Sequence, residues 1–112
     1  MSPLLEQQQH FAQLIALWMR AAYARGFSVT FGDAFRDQRC PYGAEGSYHK
    51  RRLAVDFNLF KDGRYLTSVE EWRELGEAWK ILDPLCTWGG DFKTGAVGDA
   101  NHLSYGEGKR NG

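Results

Sequence analysis

Histidine is scarce in this chain, with three in 112 residues, and two of the three lie near carboxylates in a pattern that could hold a metal ion. His49 sits in Ser47-Tyr48-His49-Lys50-Arg51-Arg52-Leu53-Ala54-Val55-Asp56, and His102 closes Asp99-Ala100-Asn101-His102. Two imidazoles and one carboxylate, His49, His102 and Asp56, make a full set of protein ligands for a catalytic zinc, which keeps its fourth position for water. This nitrogen and oxygen donor set suits zinc without recourse to Cys40 or Cys86. Asp99, three residues before His102, places a carboxylate beside a ligand. That position suits a general base, which takes a proton from water and returns it to a leaving amine. A loop His and a strand His also occur as surface or hydrogen-bonded core residues, so spacing alone leaves both readings open.

The spacing constrains the backbone. In one straight strand the Cα atoms of His49 and Asp56 would be about 23 Å apart at roughly 3.3 Å per residue, too far for one ion. Two helical turns would still separate them by about 10 Å. The chain must therefore turn between them, with a loop His reaching back over a strand Asp.

The elements that must do this positioning are legible in outline. Apolar residues at Phe11, Leu14, Ile15, Trp18, Ala21 and Ala22 recur at three- and four-residue steps and predict a helix from about Leu5 to Arg25, opened near Ser2-Pro3 and stopped at Gly26. Residues 26–31 alternate as a strand leading toward Arg36, and Pro41, Gly43 and Gly46 punctuate a loop up to Tyr48. Residues 53–60 read as a central strand, Lys61-Asp62-Gly63-Arg64 as a hairpin turn into Tyr65-Leu66. Thr67 or Ser68 caps a second helix to about Leu82, with Val69, Trp72, Leu75, Trp79 and Leu82 on its apolar side and Pro84 beyond its end. Residues 88–98 read as a glycine-rich loop, 102–105 as a last short strand, and 106–112 as a disordered tail. This order predicts a single α+β domain over residues 1–105, a small antiparallel sheet with helices packed on it.

Composition narrows the function. Hydrophobic residues at 43% exclude a disordered chain, and 14 basic residues against 14 acidic ones remove any general pull toward nucleic acid. The basic run Lys50-Arg51-Arg52 is too short for a nucleic-acid footprint. Gln13 and Arg20 interrupt the longest apolar stretch, so neither a membrane span nor a signal peptide is expected. Two cysteines give no disulfide framework, and both are read as reduced thiols that could bridge only if the protein matures outside the cytoplasm.

Ser47-x-His49-x6-Asp56 with Ala54 two residues before the Asp, followed by Asp99-x-x-His102, resembles the M15 family of zinc peptidases. It looks most like small phage endolysins that cleave the L-alanyl-D-glutamate bond of peptidoglycan, relatives of D-alanyl-D-alanine carboxypeptidases and dipeptidases. The resemblance runs from about Phe27 to Tyr105. Residues 30–36 are similar to the segment that bears the family's active-site Arg, 54–59 to its metal-carboxylate strand, and 88–92 to the stretch upstream of its last His. Carried over, it implies Zn2+ held by His49, Asp56 and His102, with Asp99 as general base. Arg36 would polarise or bind a substrate carbonyl or carboxylate, and Ser47 would sit close behind the site. Arg52 departs from the Gly that many members carry three residues after the His, which bears on loop shape. The resemblance further implies a monomer acting on the peptidoglycan stem peptide. Such an enzyme is made in the cytoplasm and reaches the wall after release, through a holin. Two rivals stand beside this reading: the same site acting on D-alanyl-D-alanine, or a non-catalytic cell-wall-binding domain.

Other residues have plainer uses. His10 falls in the first helix, away from the ligand segments, and reads as a surface or helix-flanking residue. Asp91 competes with Asp99 for the base role but more simply orders its loop. Trp72 and Trp79 read as core, and Trp88 as core or as the edge of a substrate groove.

Overall fold

The computed structural model describes residues 2–32, 53–91 and 100–106. Helix α1 spans Pro3–Ala24, and local chemistry sets both its ends. The Ser2 side chain accepts the Leu5 N–H at 3.1 Å, and Pro3 gives up no hydrogen bond at the first helical position. At the other end Gly26, with φ 90°, lets the chain reverse: Phe27 N–H donates to Ala22 O at 3.0 Å and Gly26 N–H to Tyr23 O at 3.1 Å. That hydrogen-bond pair is a Schellman motif, and the buried Phe27 anchors it.

Strand β1 (Ser28–Phe31) leads to β2 (Ala54–Lys61), the spine of the sheet, which turns directly into β3 (Arg64–Leu66). Asp62 and Gly63 both have positive φ, 54° and 78°, as the two-residue turn of a twisted hairpin requires. Helix α2 (Val69–Leu82) starts at a capping box in which the Ser68 side chain accepts the Glu71 N–H while the Glu71 carboxylate accepts the Ser68 N–H. Strand β4 (Cys86–Trp88), a single 3-10 turn (Gly89–Asp91) and β5 (His102–Tyr105) complete the described chain. All pairings are antiparallel. β1 lies along one edge of β2, while β3 and β5 share the other, and β4 adds outside β5.

Trp88 corrects the expectation of a glycine-rich loop that starts there: Cys86–Trp88 pairs with Leu103–Tyr105, and Gly89–Asp91 follows as the 3-10 turn. Hydrogen bonding also reaches Gly106, whose N–H donates to Leu85 O at 3.1 Å. The rest of the expected tail lies outside the described residues.

Four tryptophans close the core between the helices and the sheet, each no more than 1% exposed. Trp18 of α1 stacks on Trp72 of α2 and lies against Phe57 of β2, and Phe11 meets Trp79 edge-on. Each indole N–H reaches a backbone carbonyl: Trp18 to Leu75, Trp72 to Leu66, Trp79 to Thr87 and Ser104, Trp88 to Ala100. An apolar ring with one satisfied donor fills volume and pins a neighbouring stretch of backbone at once. Among the described residues no helix is long and apolar enough to cross a membrane.

Candidate functional site

Asp56 and His102 face each other across β2 and β5. Phe57 N–H donates to Asn101 O, and Tyr105 N–H to Leu53 O, so the Asp56–His102 pair falls between hydrogen-bonded rungs of the ladder. Such positions bring opposing side chains closest, with Cα atoms about 4.5 Å apart. His102 Nδ1 lies 3.2 Å from Asp56 Oδ1, and their side chains are only 5% and 13% exposed. Two residues 46 apart in sequence thus meet in a nearly dry place through register alone.

Two further features fix this pair. Gly32, at the end of β1, donates its N–H to Asp56 O at 2.7 Å, and a Cβ there would lie 3.1 Å from that oxygen. The close approach is easiest for glycine. On the other side, the Trp88 N–H donates to Ala100 O at 2.7 Å, two residues before His102. A Cβ on Gly76 of α2 or on Gly90 of the 3-10 turn would overlap the Trp88 ring. The ring is thereby clamped, and through it the turn that delivers His102.

The donors match a metal in kind and spacing. Two ligands on a tetrahedral zinc with bonds of about 2.0–2.1 Å stand about 3.3 Å apart, and Nδ1 and Oδ1 stand 3.2 Å apart. The same contact is a hydrogen bond when the imidazole carries its proton on Nδ1. Among the described residues no third His, Cys, Asp or Glu joins the pair. The third expected ligand, His49, lies outside the described residues, as do Asp99, Arg36, Ser47, Arg52 and Cys40.

The competitors for these roles are engaged elsewhere. Asp91 accepts from Lys80 Nζ at 2.7 Å and ties the 3-10 turn to α2. Burial holds the Cys86 thiol protonated, its pKa pushed up to about 12, which makes it a poor ligand and nucleophile. His10 bonds Asp83 across 3.1 Å at the far end of α2 and meets Tyr105 edge-on. Trp88 is fully buried, so it is core and not a groove edge.

A family model described as D-alanyl-D-alanine carboxypeptidase matches residues 42–105, more than half of the chain and the span that runs from the His49 segment to β5. The chain belongs to the M15 peptidase family. The fold of this M15 chain is similar to the crystal structure of the Serratia marcescens L-Ala D-Glu endopeptidase ChiX, with a TM-score of 0.66 and 16% sequence identity. That match covers 88% of this chain and 79% of that one. No curated protein sequence matches. The M15 assignment makes the domain a peptidase, and its described residues form an antiparallel sheet and two helices, as expected for α+β.

Two positioning residues, Gly32 and Gly76, were not singled out from sequence, and Trp88 was singled out without its link to His102. Gly32 and Gly76 carried no signal, because the neighbours they accommodate come from distant segments. The Trp88-Gly89-Gly90 run held a clue, since a large ring beside glycines often needs their missing side chains.

Proposed function

We propose that this domain is a zinc-dependent peptidoglycan hydrolase that cleaves a stem-peptide amide, L-alanyl-D-glutamate, as a phage-type endolysin does. The observation that carries the proposal is the buried Asp56–His102 pair, with its donor atoms 3.2 Å apart at the edge length of a tetrahedral zinc site. His49 would complete the set. A zinc ion held there supplies Lewis-acid polarisation of a carbonyl and a water whose pKa falls to about 7.

The chain's own groups do the rest. Asp99 accepts a proton from the attacking water and passes it to the departing amine, so that the amine leaves neutral. Arg36 bears the negative charge that grows on the carbonyl oxygen or anchors a substrate carboxylate, a role a fixed cation fills without reorganising. Ser47 would stand close behind the site and help to bind substrate. Burial of Asp56 and His102 keeps bulk water from competing for the donors, which strengthens each electrostatic contact.

The description of the matching family model favours a second reading, the same site acting on D-alanyl-D-alanine. Mass analysis of products from an intact stem peptide separates the two. A newly freed glutamate amine supports the endopeptidase, whereas release of terminal D-alanine makes the carboxypeptidase the activity.

A further inference from the structure

The face of β2 that bears Asp56 continues beyond its contact with His102. Asp56, Asn58 and Phe60 alternate with the fully buried Phe57 and Leu59, so they share the outer side of the sheet. Their partners in register extend it: Thr30 of β1 lies opposite Asn58, and Ser28 of β1 and Tyr65 of β3 lie opposite Phe60. Asn58 Nδ2 donates to Thr30 Oγ1 at 3.2 Å, and Tyr65 OH donates to Asn58 Oδ1 at 3.3 Å. The Tyr65 and Phe60 rings stack with centroids 5.3 Å apart, yet Tyr65 remains 59% exposed.

This outer side carries no charge over Ser28, Thr30, Asn58, Phe60 and Tyr65. Among the described residues the nearby cations are turned elsewhere, with Lys61 over the Phe27 ring and Arg64 paired to Glu71. Cross-strand stacking of Phe60 on Tyr65 would by itself steady the hairpin by up to about 1 kcal/mol. Hairpin stability does not account for the hydroxyls and amide that run from the exposed ring toward Asp56.

Distance suggests what would lie there. At roughly 3.3 Å per residue, Asn58 is about 7 Å and Phe60 about 13 Å along the strand from Asp56. An extended peptide advances about 3.6 Å per residue. The platform is therefore reached within a few residue lengths of a bond cleaved at the Asp56–His102 site. In a peptidoglycan stem, L-alanine and one lactyl group separate the L-alanyl-D-glutamate bond from the sugar. In the other direction the stem carries carboxylates and an ammonium group, which would call for charged partners. A sugar ring offers a C–H face to an exposed aromatic ring, and its acetamide and hydroxyls match amide and hydroxyl side chains.

We infer that Tyr65, Phe60, Asn58 and Thr30 form a subsite for an N-acetylhexosamine of the glycan strand whose stem peptide is cleaved; this rests on the peptidoglycan reading above. The subsite makes the enzyme prefer stems still attached to glycan over released peptides.

The test compares kcat/KM on a soluble disaccharide-tetrapeptide with kcat/KM on the same tetrapeptide lacking the sugar. Wild type favours the sugar-bearing substrate by about tenfold, Tyr65→Ala reduces that ratio to about one, and Tyr65→Phe, which keeps the ring, retains most of it. A ratio left unaltered by Tyr65→Ala overturns the subsite, including the case where both rates fall together. A second readout needs no turnover: cosedimentation with glycan strands stripped of stem peptides. Wild type pellets with them and Tyr65→Ala stays in solution if the subsite is real, and equal behaviour of the two overturns it. Should wild type cleave neither substrate, the peptidase reading falls and the sedimentation result alone decides the subsite.

Discussion

Replacing Trp88 with Phe probes how the core holds the site. The change removes the indole N–H that donates to Ala100 O and leaves that carbonyl in a residue only 5% exposed, where water cannot readily replace the donor. An orphaned buried carbonyl costs about 1–3 kcal/mol, and the smaller ring leaves a gap between Gly76 and Gly90 that adds about 1 kcal/mol. For 112 residues, an unfolding entropy of about 2.1 cal/mol/K per residue converts about 2–4 kcal/mol into a Tm lowered by roughly 9–17 °C. Trp72→Phe is a matched control: it loses an equivalent bond, to Leu66 O, at the β3 end of α2 and away from β5. Both variants should melt early. Only Trp88→Phe should also weaken zinc binding, by about tenfold, the low end of what losing a ligand-orienting partner costs. Thermal melting without metal, with a competition titration against a chromophoric chelator, reads both effects. Equal zinc affinity in the two variants would refute the claim that Trp88 positions His102, and a Tm shift under about 4 °C would refute the energy assigned to the bond.

Further expectations concern single groups. Asp99→Ala should keep zinc but lose turnover by about 10²–10⁴-fold, whereas His102→Ala should lose both metal and turnover; normal turnover in Asp99→Ala removes it as the base. In a Cys40→Ser background, Cys86 should resist iodoacetamide at neutral pH until the protein unfolds, because burial pushes its pKa up to about 12. Since the folded thiol holds its proton above the ordinary value of 9.0, its share of stability is intact below that pH and drains away as pH rises from there toward about 12. Asp83 has the opposite sign: the Leu85 N–H first, and then His10, hold its carboxyl below the usual value of 3.8. The stability it contributes is present above that pH and disappears as pH falls below it, so the gap between wild type and Asp83→Asn in denaturant melts should shrink on acidification. Ser68→Ala breaks the capping box of α2 and should cost about 1 kcal/mol by urea unfolding; no change would show that Glu71 alone holds that end.

What the sequence made legible follows from how local each cause is. Helix α1 was readable because its apolar spacing, Ser2 cap and Gly26 stop all act within a few residues, and α2 likewise from Ser68 and Glu71. The β2–β3 hairpin rested on Asp62-Gly63, whose turn chemistry is equally local. Strand β4 escaped notice because Cys86-Thr87-Trp88 is too short for periodicity and is a strand only because β5 offers it an edge. Asp56 and His102 stood out as ligand types, and their meeting needed a register that no local pattern reveals. The same holds for Gly32, which is small because a backbone 24 residues later passes it, and for Trp88, whose indole reaches the turn before His102.

The most direct measurement of the central claim is release of new amino termini from purified peptidoglycan before and after chelation, with zinc then added back. Cleavage should stop on chelation, return with zinc, and be absent in His102→Ala. Folded, zinc-loaded protein that releases no amino termini, or cleavage indifferent to the chelator, would contradict the claim.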